Sequence, residues 1–229
     1  KKLEELVKDE PRITVCPLLT KYPQGGERSI IYAVTGRKVN SSMLPADAGC
    51  IVDNVDTVIS IYMAVCKSTP LIRKIITITG DAVNTPCNFN VKLGTNYQEL
   101  IEAAGGFKEE PEKIISGGPM MGQALFTVDI PVSKTSSALT CFTKDQVSAL
   151  EPTACIRCGR CVSVCPSRIV PVMMMQAALR NDCERFEKVN GMECMECGSC
   201  TYICPARRPL TQAFKEMRKT VAANRRKKG

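Results

Sequence analysis

The chain contains no histidine and no tryptophan among its 229 residues. Without imidazole it cannot use histidine-based acid–base chemistry or build a Rieske-type centre of its own. Long apolar runs are also missing, since none approaches the roughly 18 to 20 residues a membrane span needs. No signal peptide is visible, so the expectation is a soluble or peripheral protein. The chain lacks an initiator methionine and opens in what reads as the middle of an α/β unit. A fragment of a longer protein is therefore expected.

Cysteine is what the chain does have, with 14 in all. Eight of them form two copies of one motif, Cys155-Ile-Arg-Cys158-Gly-Arg-Cys161-Val-Ser-Val-Cys165-Pro166 and Cys194-Met-Glu-Cys197-Gly-Ser-Cys200-Thr-Tyr-Ile-Cys204-Pro205. Both read C-x2-C-x2-C-x3-C-P, the bacterial-type [4Fe–4S] run. Three thiolates at that interval wrap one face of an iron–sulfur cube, and the fourth, before a proline that turns the chain, points away. In two-cluster ferredoxins that fourth cysteine ligates the other cube. One cluster is accordingly assigned to Cys155, Cys158, Cys161 and Cys204, the other to Cys194, Cys197, Cys200 and Cys165. Zinc closes its shell with four ligands, and a third cysteine at the same interval followed by Cys-Pro is not its pattern. A disulfide framework would need a secreted context that nothing here supplies.

Gly159 and Gly198 suit a close approach of backbone to sulfide. Arg157 and Arg160 beside the first cluster, against Glu193 and Glu196 beside the second, have two readings. They raise the first potential relative to the second, or they are solvated loop charges. The other six cysteines (Cys16, Cys50, Cys66, Cys87, Cys141, Cys183) have no ligand spacing and read as buried free thiols of a reducing cytosol.

An apolar fraction of 44% over this length allows two or three small cores. The net charge of +8 is concentrated at one end. From Pro205 onward there are nine Lys/Arg against one acid, which leaves 22 of each before it. That basic character belongs to a tail, read either as a contact for anionic lipid or an acidic partner, or as a solubilising tail.

Along the chain, Lys1 to Asp9 is helix-like with Leu3, Leu6 and Val7 on one face. Arg12 to Cys16 reads as a strand, and Lys21 to Glu27 as a turn with two glycines, open either to a ligand or to an ordinary loop. Leu44 to Gly49 is a loop leading to a strand at Cys50–Val52. A helix face of Val55, Val58, Ile59, Tyr62, Val65 and Cys66 follows, with Asp53 or Asn54 as its N-cap. That helix start is a phosphate site or a cap and nothing more.

Residues 71–128 read as a small α+β module. Its strands are Lys74–Thr79, Asn90–Gly94 and Lys113–Ser116, with a short helix opened by an Asn96/Glu99 capping box and stopped at Gly105-Gly106. Residues 129–150 read as a connector enriched in Ser and Thr. Val172 to Cys183 is helical, and Met173–Met175 reads as dry packing beside a cluster. After Pro209, a stripe of Leu210, Ala213, Phe214, Met217 and Val221 marks an amphipathic helix, and Asn224 to Gly229 reads as disordered.

The motifs Thr20-Lys-Tyr-Pro-Gln-Gly-Gly-Glu27, Leu44-Pro-Ala-Asp-Ala-Gly49, Thr79-Gly-Asp-Ala-Val83 and Ser116-Gly-Gly-Pro-Met-Met-Gly122, with the paired cluster motifs, make the whole chain resemble the RnfC family. These are peripheral subunits of Rnf complexes, which are ion-translocating ferredoxin–NAD oxidoreductases. Val52-Asp-Asn-Val-Asp-Thr57 is also similar to a V-N-N-V-E-T stretch of the flavin subunit of respiratory complex I, which helps hold FMN. The resemblance implies FMN near Asn54, with Asp53 and Thr57, and an acidic residue near the nicotinamide at Glu27. Asp53 departs from the asparagine of that relative. The family's glycine-rich flavin and NADH loop lies upstream of Lys1, so the chain carries part of the nucleotide site.

The fold class implied is multidomain α/β and α+β. Residues 1–70 would be the C-terminal part of a flavin/NADH-type α/β domain, and 71–128 an SLBB β-grasp domain. Residues 151–209 would be a ferredoxin-like α-helical domain with two [4Fe–4S] clusters, and 210–229 a helix with a basic tail. The function implied is an electron-transfer subunit at the cytoplasmic face of the plasma membrane. It would relay electrons between an FMN/NADH site and other Rnf subunits. A flavin–cluster reductase serving a soluble enzyme, such as a cobalamin reductase, is the alternative. A nucleic-acid-binding role is disfavoured, because the basic tail has no interleaved aromatics except Phe214 and no recognition motif.

Overall fold

The computed structural model describes residues 2–228. The chain divides into two compact units, residues 1–53 and 54–229. It is mixed α/β, with one five-stranded sheet and several helices.

In the first unit, α1 (Lys2–Leu6) carries Leu3 and Leu6 on its surface, so the face read as apolar is not buried here. Arg12–Cys16 is not a strand. Pro11 and Pro17 flank it, and among the described residues no strand pairs with it to satisfy its N–H and C=O groups. Cys50–Val52 is likewise irregular. The Lys21–Glu27 turn leads directly into α2 (Glu27–Thr35), a helix the sequence pattern does not announce, closed by Gly36 in the left-handed conformation. A 3-10 turn over Pro45–Ala48 is held by Asp47, which accepts from the Leu44 N–H at 2.8 Å. Among the described residues of this unit, Ile31 is the one that is buried.

The second unit opens with α3 (Val55–Lys67), whose N-cap is Asn54, its side chain accepting from the Asp56 N–H at 2.9 Å. None of its residues is buried, although Val55, Val58, Ile59, Tyr62 and Val65 fall on one side as the periodicity predicts.

The sheet follows. Its strands are β1 (Arg73–Thr79), β2 (Cys87–Lys92), β3 (Lys113–Ser116), β4 (Gln123–Leu125) and β5 (Ala138–Phe142), with α4 (Tyr97–Ala103) between β2 and β3. The order is β2-β1-β5-β3-β4. Only β1 and β5 pair in parallel, with Ile78 opposite Leu139. The predicted capping box of α4 is present: Asn96 accepts from Gln98 N–H and Glu99 from Asn96 N–H. Ile76 and Ile78 of β1, Leu139 and Cys141 of β5, and Tyr97, Leu100 and Ile101 of α4 form one core. Each of the fully buried apolar side chains contributes on the order of 1.5–3 kcal/mol. The stretch 129–150, read as a connector, therefore supplies the central strand of the sheet. Its Ser/Thr cluster, Ser133 to Ser137, precedes β5, and the strand lacks the alternation of a half-exposed one because Leu139, Thr140 and Cys141 are all buried.

The cysteine-rich region is helical. Two one-turn helices, α5 (Arg160–Ser163) and α8 (Ser199–Tyr202), each start just after a motif glycine. Between them lie α6 (Pro171–Leu179), α7 (Cys183–Lys188) and a 3-10 turn at Gly191–Glu193. The single helix expected up to Cys183 breaks at Arg180–Asp182, where Asn181 is left-handed and Asp182 caps α7 by accepting from Arg185 N–H. The last helix, α9 (Leu210–Lys228), buries Leu210, Phe214, Met217 and Val221 against Met174 and Phe186. It continues through Asn224–Lys228, which corrects the expectation of disorder there; Gly229 lies outside the described residues. Met174 and Met175 are buried as dry packing, whereas Met173 is exposed. Of the six scattered cysteines only Cys141 is buried, and Cys16 and Cys66 are exposed. The reading of all six as buried thiols is overturned.

Asp81, directly after β1, accepts from the Thr143 N–H and hydroxyl at 2.9 Å each, and these bonds hold its carboxyl below the usual carboxylate range. A depressed folded pKa gives stability that is present above the unfolded value and lost as pH falls through the folded one. Stability followed by denaturant titration is therefore expected to drop below about pH 4. Asp81→Asn should lower the neutral value and flatten this acid limb; an unchanged pH profile in that variant would dismiss the Asp81 contribution.

Candidate metal centres

The two motifs fold alike. Arg157 and Glu196 are both left-handed, as are Gly159 and Gly198, and as are Arg168 and Arg207 three residues past the last cysteine of each motif. Each left-handed residue turns the chain so that successive thiols face inward, and the one-turn helix then carries the fourth cysteine onward.

The consequence is two cavities. One, of about 410 Å³, is lined by Cys155, Cys158 and Cys161 of the first motif and by Cys204 of the second. The other, of about 20 Å³, is lined by Cys194, Cys197 and Cys200 with Cys165. Electrostatics follow the same grouping. Burial pushes the Cys161 thiol pKa up, and Cys155 and Cys204 add to the rise. Burial pushes Cys194 up to about 11, with Cys200 and Cys165 adding to it and the Glu196 N–H and the Arg218 charge opposing it. Cys200 is also raised by burial, against the Thr211 hydroxyl, with Cys197 and Cys165 adding.

The donor chemistry fits iron–sulfur clusters: thiolates are soft ligands, and four face each cavity. Among the described residues no three His, Cys, Asp or Glu side chains converge to hold a single metal ion. The first cavity, of about 410 Å³, has room for a polynuclear centre.

The two sites differ in their surroundings. Cys155 and Cys158 are exposed, whereas Cys197 and Cys200 are buried. The second site carries polar partners for sulfur. Glu196 N–H donates to Cys194 Sγ at 3.4 Å, Ser199 Oγ lies 3.4 Å from Cys197 Sγ, and Thr211 Oγ1 lies 3.7 Å from Cys200 Sγ. Thr211 is itself fixed, its hydroxyl 2.8 Å from that of Thr201 and its N–H donating to the same oxygen at 2.9 Å. The sequence motif contains Ser199 but does not disclose Thr211, for which a hydroxyl near the motif is the available signal. Arg157 and Arg160 are exposed and form no ion pair among the described residues, while Glu196 is paired with Arg218 of α9. The acidic charge read beside the second site is therefore partly compensated.

The β3–β4 turn meets the second site. Met120 lies against Gly198, so that a methyl group on Gly198 would stand 3.0 Å from the Met120 carbonyl oxygen and 3.4 Å from its Cε.

The residues proposed for flavin lie elsewhere. Glu27 is the exposed first residue of α2, and Asp53 is exposed at the end of the first unit. Asn54 and Thr57 open α3 in the second unit, where the Asn54 carboxamide already caps the helix. That helix start leaves N–H groups suited to an anion. Among the described residues, no helix is long and apolar enough to cross a membrane.

Three family models match in succession. They are described as the Nuo51 FMN-binding domain (residues 1–63), the SLBB domain (75–124) and the 4Fe-4S dicluster domain (149–205). The chain is 44% identical over 228 residues to the C subunit of the Na(+)-translocating ferredoxin:NAD(+) oxidoreductase complex of Acetobacterium woodii, covering 98% of this chain and 52% of that protein. It is 48% identical over 163 residues to the proton-translocating counterpart from Clostridium ljungdahlii, covering 71% and 36%. To the C subunit of the ion-translocating oxidoreductase complex of Rhodobacter capsulatus it is 39% identical over 203 residues, covering 89% and 39%. The chain thus spans about half the length of such relatives at most.

Both motif glycines are left-handed, so Ala at either costs roughly 1–2 kcal/mol in backbone strain. Gly159 has open space around it, whereas Gly198 has Met120. Gly198→Ala should therefore lower Tm more than Gly159→Ala, and equal losses would show that the β3–β4 turn gives way freely.

Proposed function

We infer that this chain, which belongs to the RnfC family of ion-translocating ferredoxin:NAD(+) oxidoreductase complexes, relays single electrons between a flavin–nicotinamide site and the other subunits of its complex. The observation that carries this reading is that three thiols of one motif and the fourth of the other line each of two cavities. On this reading Cys155, Cys158, Cys161 and Cys204 hold one [4Fe–4S] cluster, and Cys194, Cys197, Cys200 and Cys165 hold the second.

Each cube would supply a one-electron couple, and FMN would exchange a two-electron hydride with NAD(H) and pass its electrons singly. The chain's own residues set the conditions for that transfer. Met175 and Leu210 wall the first cavity, and Phe214 the second, with apolar surface that excludes water. The Glu196 N–H and the Thr211 hydroxyl sit where they offset negative charge on sulfur at the second site. The exposed first site, with Arg157 at its rim, is suited to exchange with a partner protein.

For the flavin, Asn54 and Thr57 at the start of α3, with Asp53, are the residues assigned toward FMN, and Glu27 toward the nicotinamide. The Nuo51 match over residues 1–63 supports this placement. The protein would lie at the cytoplasmic face of the membrane beside integral subunits. The basic residues of α9 would contact an anionic surface there, Arg226 and Lys227 being exposed.

Anaerobically purified protein should contain about eight irons and eight labile sulfides per chain, with a spin-coupled EPR spectrum after dithionite reduction. Stoichiometric zinc without sulfide, in protein supplied with iron, would overturn the relay. Cys165→Ser should remove the centre of the second motif, in which Cys165 does not lie, and Cys204→Ser that of the first. Each should cost about half the iron; loss confined to the variant's own motif would refute the crossed assignment.

A further inference from the structure

One buried polar atom finds no use in the protein itself. Among the described residues, Arg218 Nε is enclosed and has no hydrogen-bond partner. A buried guanidinium donor without an acceptor is costly, and such a group calls for an explanation. The rest of this side chain is tied to the second site. Its Nη1 pairs with Glu196 Oε1, and Glu196 lies in the loop between Cys194 and Cys197, with its own N–H on Cys194 Sγ.

Helix register also sets Arg218 on the face of α9 that meets this site. Thr211, Phe214 and Arg218 follow at i, i+3 and i+7 along α9, which places them on one face. Thr211 and Phe214 line the cavity of the second site. Arg218 stands one turn further on, joined to the Cys194 loop through Glu196.

We propose that Arg218 sets the reduction potential of the second centre, through its fixed positive charge and its unpaired Nε–H. The proposal rests on the reading that this site holds a [4Fe–4S] cluster. Reduction adds one electron to a centre already ringed by four thiolates, so it gains from any nearby charge that stays positive. Arginine does not deprotonate in proteins, and this one is partly buried, where solvent and salt screen it little. Arg218 also cancels the carboxylate of Glu196, which by itself would oppose reduction. Arg157 and Arg160 at the first site are exposed, and their effect is screened. The acidic loop of the second motif is thus not a low-potential signature, because α9 brings its counter-charge from 22 residues away.

The test is an EPR-monitored redox titration of the full chain, with iron and sulfide assayed in each sample. Arg218→Gln should move one of the two midpoints to more negative potential and leave the other in place. Arg218→Lys, which restores the charge but not the Nε–H, should recover part of the shift. Glu196→Gln should move the same midpoint in the opposite direction, which a merely structural role for the pair would not do. Full iron content with both midpoints unmoved in Arg218→Gln would overturn the proposal. Where that variant assembles only one cluster, Glu196→Gln decides, and an unmoved midpoint there overturns it too. An unaltered chain free of iron and sulfide would instead strike down the cluster reading on which the proposal stands.

Discussion

Eight thiols grouped as three and one around two cavities impose one constraint on everything near them: each cavity is lined by thiols of both motifs. The third cysteine of each motif sits in a helix of one turn, and that turn delivers the fourth to the neighbouring cavity. Helices of four residues do not persist alone. Their position depends on α6, α7 and above all α9, whose Leu210, Phe214, Met217 and Val221 form the floor under both loops. Each half of the region is therefore folded by what the other half contributes.

Much of this is legible in the residues. The C-x2-C-x2-C-x3-C-P spacing names its chemistry because few other centres tolerate it. The α4 capping box and the α9 stripe are equally plain, since both are local patterns with local causes. What the sequence hides depends on distant partners. The strand β5 carries no alternation, because β1 and β3 flank it and both its faces are covered. The pairing of Glu196 with Arg218 joins positions far apart in sequence, so counting charges near the motif misjudges the second site.

The N-terminal region shows the opposite imbalance. Asn54 caps α3 and Val55, Val58, Ile59, Tyr62 and Val65 share a face as their spacing indicates, yet the helix buries none of its residues. Periodicity specifies which residues share a face; it does not supply what covers that face. The expected strands at Arg12–Cys16 and Cys50–Val52 fail for a related reason, since β-rich composition does not make a strand without a neighbour to bond. The family model for a flavin-binding domain meets the chain in this same region.

The contact between Met120 and Gly198 joins the sheet to the loop of the second motif. Gly198 cannot gain a side chain without pressing on the turn, and the turn cannot lengthen there without pressing on the loop. Sheet and cysteine-rich region are thus not interchangeable cassettes on a string. A recombinant that grafted this cysteine region onto a foreign sheet would inherit the thiols and lose the backbone that packs on Gly198.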